Sequence, residues 1–207
     1  MGIFDFNLIK KLLTDDYKNV VETGTFQGDG VDELVKYFEN IYTIEISDDL
    51  YNKAVSKFKN NKKIKCIKGD SAIVLIEIMD ELNTKGKMVF WLDAHWSGDN
   101  SVDWNNSLWK GYNIDTSHRG DNKDSYSQVP LEEEIMNIYY NFNNECIIYI
   151  DDFDKINPQT GIGLKDKCFK GEDLTHIDFN KILNSIKPRI LDFFYTYNQA
   201  VIKLSSK

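Results

Sequence analysis

The sequence is poor in cysteine and in positive charge, and each shortage excludes a class of protein. Cys66, Cys146 and Cys168 are odd in number and far apart, so they form neither a disulfide framework nor a zinc motif. We expect buried or free thiols in a reducing compartment. Lysine and arginine total 25 against 33 aspartates and glutamates, a formal charge of −8. So acidic a chain predicts no nucleic-acid partner, because phosphates bind basic surfaces.

Long apolar runs are also missing. No run reaches the roughly 20 apolar residues that span a bilayer. The N-terminus lacks the basic region of a secretory signal, and Phe6 spoils a myristoylation match. We therefore expect a soluble, cytoplasmic protein with no membrane partner. The chain does have 42% hydrophobic residues over 207 positions, which predicts a single domain, 1–207, with a substantial core.

Apolar runs alternate with helical spacings along the chain. Strands are predicted over 19–22, 41–45, 64–68, 87–92 and 146–150, and helices over 6–13, 30–39, 48–58, 71–82, from 130 onward and 179–186. Residues 190–197 and 200–204 resemble a closing hairpin. This alternation predicts an α/β fold, a doubly wound, mostly parallel Rossmann-like sheet with an antiparallel C-terminal hairpin strand.

Two long loops interrupt the alternation, at 96–129 and from 151 to about 176. The first is rich in Asn, Asp, Ser and Gly, yet it carries Trp96, Trp104 and Trp109. Loops of this length are disordered or functional. The tryptophans favour a functional lid that stacks on a sugar or ring face of a ligand. The alternative is ordinary packing or an oligomer contact.

A glycine-rich turn follows the first strand. Gly24, Gly28 and Gly30 separate the apolar pair Val20 and Val21 from the next helical run. A strand, a glycine turn and a helix are how open α/β sheets seat a nucleotide-like cofactor. The spacing departs from the Gly-x-Gly-x-x-Gly of dinucleotide sites.

Acidic residues end the first five predicted strands. They are Glu22, Glu45, Asp70, Asp93 and the pair Asp151 and Asp152. Singly, each could be a helix cap or a solvated loop residue, but ligands of open α/β folds bind along this carboxyl edge. Glu22 would repel a pyrophosphate and suits the cationic S-adenosylmethionine. Glu45 is placed for ribose hydroxyls, and Asp70 with Ser71 is placed for adenine.

A second group of acids lies further along the same edge. Asp93, Asp151 and Asp152 offer hard oxygen ligands that suit Mg²⁺, Mn²⁺ or Ca²⁺. His95 stands two residues from Asp93, and its imidazole titrates near neutral pH. We predict that His95 is a general base, with a structural loop histidine as the alternative.

At these residues the chain resembles the class I S-adenosylmethionine-dependent methyltransferases. More narrowly it resembles the macrocin O-methyltransferase family of metal-dependent sugar and natural-product O-methyltransferases. The matching segments are 22–28, 44–45, 69–71, 92–95 and 150–153. The family pattern often has an acidic base where His95 stands.

The resemblance implies an enzyme that transfers a methyl group from S-adenosyl-L-methionine to a hydroxyl of a small molecule, a sugar or nucleotide sugar. It implies Asp93, Asp151 and Asp152 as ligands of a divalent cation, Mg²⁺ above all. We predict that His95 and Asp93 are the catalytic residues. The predicted cofactor contacts are Glu22, Thr23, Gly24, Thr25, Phe26, Gly28, Glu45, Ile46, Asp70, Ser71 and Asp93. The predicted acceptor contacts are Trp96, Trp104 and Trp109, and a homo-oligomer is left open.

Three other functions are compatible with the sequence. One is a nicotinamide-dependent oxidoreductase. Another is a methyltransferase that acts without metal on a carboxylate, phosphate or amine. The third is a non-catalytic protein that binds S-adenosylmethionine, which predicts binding of the cofactor without turnover.

Overall fold

The computed structural model describes residues 4–94, 129–166 and 174–207. His95, Trp96, Trp104 and Trp109 lie outside these residues, and so does the predicted lid apart from Val129. Cys168 also lies outside them. Cys66 is half-buried and Cys146 is buried, and both are free thiols, as the sequence predicts.

Seven strands of the described chain form one sheet. They are β1 (Asn19–Thr23), β2 (Asn40–Glu45), β3 (Ile64–Lys68), β4 (Met88–Leu92), β5 (Cys146–Ile150), β6 (Ile190–Tyr195) and β7 (Ala200–Leu204). Their order is β3-β2-β1-β4-β5-β7-β6. Strands β1 to β5 pair in parallel, and β7 runs antiparallel between β5 and β6. This confirms the predicted fold class and puts the switch in strand order between β1 and β4.

Helices cover both faces of the sheet. They are α1 (Phe6–Ile9), α2 (Asp29–Leu34), α3 (Asp48–Phe58), α4 (Ser71–Asn83), α5 (Leu131–Asn141) and α6 (Phe179–Ile186). The core is split accordingly: α4, α5 and α6 pack on the face that carries Val21, and α1, α2 and α3 pack on the face that carries Val20. Strands β1, β4 and β5 are buried along their whole length because both of their faces are covered.

Two predicted helices end early. The helix predicted over 30–39 ends at Leu34, because the Lys36 and Tyr37 amides donate to carbonyls only three residues back, those of Glu33 and Leu34. This tighter turn takes the chain into β2. Helix α1 ends at Ile9, short of the predicted residue 13. Among the described helices none has the length and apolar character needed to cross a membrane.

Candidate functional site

Gly24 joins three strands at the carboxyl edge of the sheet. Its amide donates to the Ile44 carbonyl of β2 at 2.9 Å, and its φ of +85° is a conformation that glycine adopts without strain. A Cβ atom here would lie 2.8 Å from the Asp93 carbonyl oxygen, just beyond β4. The backbone therefore passes directly over the switch point, a cradle that a side chain would fill.

The rest of the turn contains a contact between two hydroxyls and a second residue with a positive φ. Thr25 Oγ1 lies 2.5 Å from Thr43 Oγ1, and both threonines are buried. Phe26 has a φ of +48°, which is uncommon for a residue with a side chain. Gly28, at φ +77°, begins α2, and a Cβ there would lie 2.8 Å from the Phe58 ring. The turn is thus fixed before any ligand binds.

Glu45 holds this turn against β2. Its Oε2 accepts from the Phe26 amide at 2.8 Å, and its Oε1 accepts from the Ser47 amide at 2.8 Å. Burial raises the pKa of the Glu45 carboxyl, and these backbone hydrogen bonds oppose that shift. A carboxylate oxygen can accept more than one hydrogen bond, so the same group can also receive a ribose hydroxyl. The neighbouring Ile46 is half-buried.

Asp70 and Ser71 are placed where an adenine would be expected. Asp70 follows β3 and is the N-cap of α4, with Oδ1 accepting from the Ala72 amide at 3.0 Å. Ser71 is the first residue of α4, and both side chains are buried. The capping reading and the ligand reading of Asp70 are compatible, because one oxygen serves the cap.

Glu22 is buried beneath the first turn of α2. Its carboxyl is 2% exposed, accepts from Thr43 Oγ1 at 2.6 Å, and lies beneath Gly30 of α2 beside Trp91. Burial raises its pKa to about 8, so the group is largely protonated at neutral pH. A protonated Glu22 would not repel a pyrophosphate, so its preference for a cationic cofactor depends on the protonation state of this carboxyl.

Asp93, Asp151 and Asp152 do meet at the ends of neighbouring strands. The Asp151 amide donates to the Leu92 carbonyl at 3.1 Å, and the Asp93 amide donates to Thr23 Oγ1 at 3.2 Å. Burial raises the pKa of Asp93 well above its usual value, and the negative charges of Asp151 and Asp152 add to that shift. The three carboxyls are close enough to repel one another, as their strand positions predict.

Lys155 is a site residue that the sequence does not single out. It ends the 3₁₀ turn Phe153–Lys155, directly after β5 and Asp152. Its side chain is 2% exposed, and Nζ lies 2.9 Å from Asp152 Oδ2. The acidic edge therefore contains a cation of its own.

Glu134, in the first turn of α5, is the second such residue. It is 1% exposed, and burial raises its pKa to about 8 against the opposing hydrogen bonds of Ser71 and Thr23. Its Oε1 is buried and has no hydrogen-bond partner among the described residues. Such an atom is rare in a folded protein and calls for an explanation.

A cleft connects these groups. Its walls include Asp93, Glu134, Asp151, Asp152 and Lys155, together with apolar residues of β4, β5 and the loop after β5. It opens at the carboxyl ends of β4 and β5, next to Gly24. The structure thus brings four carboxyls and one ammonium to a single depression beside the turn.

A divalent ion suits the donor atoms of this cleft but not their arrangement. Carboxylate oxygens are the ligands of Mg²⁺ and Ca²⁺. Across the described ranges, however, no group of three or more His, Cys, Asp or Glu side chains is arranged to hold an ion. Asp152 already pairs with Lys155. The arrangement therefore does not fit the predicted metal.

No family model matches the sequence. No curated protein matches it either. Solved structures do match its fold. The PH0226 protein from Pyrococcus horikoshii OT3 has a TM-score of 0.53 and 13% identity, over 97% of this chain and 86% of that chain. A Listeria monocytogenes protein assigned as an S-adenosylmethionine-dependent methyltransferase has a TM-score of 0.53 and 10% identity, over 98% of this chain and 97% of that one.

A third similar structure is the MycE methyltransferase from the mycinamycin biosynthetic pathway, solved in complex with Mg, SAH and mycinamycin VI. Its TM-score is 0.55 and its identity 13%, over 98% of this chain and 50% of that chain. At such identities the likeness concerns the fold. The described part of this chain has the fold of the class I S-adenosylmethionine-dependent methyltransferases.

Proposed function

We propose that the protein is an S-adenosylmethionine-dependent O-methyltransferase that acts on a hydroxyl of a small molecule, a sugar or nucleotide sugar. S-adenosylmethionine, when bound, supplies an electrophilic methyl group for transfer in line to the acceptor oxygen. The observation that carries the proposal is the cradle at Gly24. Backbone at φ +85° lies against the Asp93 carbonyl, at the point in the sheet where open α/β folds bind ligands.

Different residues around the cradle would bind different parts of the cofactor. Glu45 would accept the ribose hydroxyls while it holds the turn through the Phe26 amide. Asp70 and Ser71 would meet the adenine at the start of α4. Asp93, buried beside the turn, would face the cationic end of the cofactor, since a carboxylate stabilises a nearby positive charge.

The acceptor side rests on residues of the cleft and of the lid. His95 would take the proton that the hydroxyl loses, and Trp96, Trp104 and Trp109 would stack on the acceptor. These four residues lie outside the described ranges, and their roles remain predictions from the sequence. Closure over the cleft would exclude water, which favours a reaction in which opposite charges are neutralised.

Divalent-metal assistance is a separate proposal from the methyl transfer. Asp93, Asp151 and Asp152 would supply the oxygen ligands, but their arrangement does not fit an ion. We therefore derive no step through a metal. The second candidate is a methyltransferase that works without metal on a carboxylate, phosphate or amine. An amine suits the cleft best, because the carboxyls that line it attract a positive charge.

We expect the protein to bind S-adenosylhomocysteine and not NADH, and Gly24→Ala to weaken that binding at least tenfold. Its Cβ would enter the cradle 2.8 Å from the Asp93 carbonyl. Gly86→Ala is the matched control, because Gly86 has a φ of +84° but no atom within 4 Å of its Cβ. Calorimetric titration of the three proteins measures the effect. Binding of NADH alone, or equal losses in both variants, contradicts the proposal.

We expect Asp151→Asn to lower turnover at least tenfold and to leave the affinity for S-adenosylhomocysteine within about threefold. Asp151 lines the acceptor cleft, and its Oδ1 accepts from the Asp152 amide at 2.9 Å and from Gln199 Nε2 at 3.3 Å. An asparagine oxygen keeps these bonds while the charge is lost. A methyl-transfer assay over hydroxyl, carboxylate, phosphate and amine acceptors measures turnover. Unchanged turnover, or a loss of turnover that a loss of cofactor affinity accounts for, contradicts the assignment. Full activity in excess chelator shows that no metal takes part.

A further inference from the structure

Lys155 is a fully buried lysine at an acidic edge. Its side chain is 2% exposed and ranks among the largest fully buried side chains of the described chain. Charged groups are rarely buried unless they are paired, because removing them from water is costly. Among the described residues, Asp152 pairs with Lys155, and its Oδ2 lies 2.9 Å from Nζ.

The backbone fixes this pair. Asp152 has a φ of +54°, and its carbonyl accepts from the Lys155 amide at 3.0 Å, which closes the 3₁₀ turn. The Lys155 carbonyl in turn accepts from the Leu164 amide at 2.8 Å, and Ile156 pairs with Gly163. The backbone of Lys155 is therefore held on both sides, and its side chain extends from an ordered turn.

The cleft has an excess of acceptors for one cation. Asp93, Asp151, Asp152 and Glu134 line it together with Lys155. Glu134 Oε1 is buried and has no hydrogen-bond partner in the described part of the chain, which independently indicates a place for a ligand. Any cation that enters must share these carboxyls with the lysine.

We propose that Lys155 is the resident cation of the acidic cleft and competes with divalent ions for Asp152, so that the folded protein binds Mg²⁺ or Mn²⁺ weakly. An ion on these carboxyls would lie within a few ångströms of the ammonium, and like charges at that range repel strongly in a partly buried site. Binding would require Lys155 to leave Asp152. The inference concerns the edge used in the proposed methyl transfer but does not require that reaction.

The test measures Mn²⁺ binding in solution from the electron paramagnetic resonance signal of the free ion. Lys155→Met keeps the length and apolar stem of the side chain and removes its charge, so we expect Mn²⁺ to bind at least tenfold more tightly. Lys65→Met is the matched control. It also removes one positive charge that is paired with an acid, Glu81 at 2.6 Å, but at the exposed side of β3. We expect no change there.

Two further variants make the result specific. Lys155→Met combined with Asp152→Asn should lose the gain, because the freed carboxylate is then absent. Lys155→Gln repeats the test with a neutral donor to Asp152 if the methionine variant does not fold. The proposal is overturned if neither neutral variant binds Mn²⁺ more tightly, or if Lys65→Met gains as much. Binding of S-adenosylhomocysteine, measured on the same samples, separates this outcome from failure of the proposed function.

Discussion

Between about pH 5.5 and 7.5, the free energy of unfolding is expected to fall by about 1.4 kcal/mol per pH unit for each of two buried carboxyls, Glu22 and Glu134. They are 2% and 1% exposed, and burial raises the pKa of each to about 8. The unfolded chain releases these protons near pH 4.5. The stabilisation is therefore complete below that pH and is lost as the pH rises toward 8.

Denaturant unfolding at several pH values measures this slope. Glu22→Gln and Glu134→Gln should each reduce the slope by about 1.4 kcal/mol per pH unit, because a neutral amide has no proton to lose. Glu33→Gln is the control. Hydrogen bonds from Lys36 and Tyr37 lower the pKa of Glu33, so this group titrates below the window. If both glutamine variants keep the slope of the parent protein, the two carboxyls are not protonated in the fold.

Gly30→Ala is expected to destabilise the fold by about 3 kcal/mol, although alanine is the better helix former. A Cβ on Gly30 would overlap Glu22 Oε1 and lie 2.7 Å from the Trp91 ring. Both neighbours are buried, so neither can move into solvent. For a chain of this size the loss corresponds to a fall in Tm of about 6–12 °C.

Gly86→Ala again serves as the comparison, since no atom lies within 4 Å of its Cβ. Gly86→Ala should lower the free energy of unfolding by only about 1 kcal/mol, because its φ is positive and alanine adopts such a φ less readily than glycine. Thermal unfolding of both variants measures the two falls in Tm. Equal losses, or a smaller loss for Gly30→Ala, contradict the close contact of α2 with Glu22.

The sequence predicts strands best where the chain is continuously apolar. Cys146–Ile150 lies in the middle of the sheet, and its limits agree with the prediction because both faces demand apolar residues. The ends of helices are predicted less well. Val31, Leu34 and Phe38 keep a helical spacing, but the chain tightens after Leu34 to enter β2, and all three remain buried either way.

The sequence predicts that the acidic residues share one edge of the sheet, but it predicts the orientation of their side chains only in part. Glu22 stands at the end of β1, as a ligand-binding acid would, but it shares its side of the strand with Val20, the side that packs against α2. Side chains alternate along a strand, so this orientation was readable from the sequence. Glu134 was also readable. Its helical spacing from Leu131, Ile135 and Ile138 puts it on the buried side of α5.

Lys155 gave no such signal. Its burial depends on Asp152 beside it and on the cleft that also includes Asp93, which lies far away along the chain. Local patterns report the faces of single strands and helices. A buried lysine in a cleft lined by the ends of two strands is a property of the assembled edge, and only the tertiary structure displays it.

The position of β7 has a consequence for the order of folding. β7 comes after β6 in the chain and inserts between β5 and β6. During synthesis, β5 has no partner on its outer edge until Ala200–Leu204 has been made. The backbone N–H and C=O groups along that side of β5 are then unpaired, and an edge of this type pairs with other chains. The nascent chain is therefore open to edge pairing with other chains in the interval between the synthesis of β5 and that of β7.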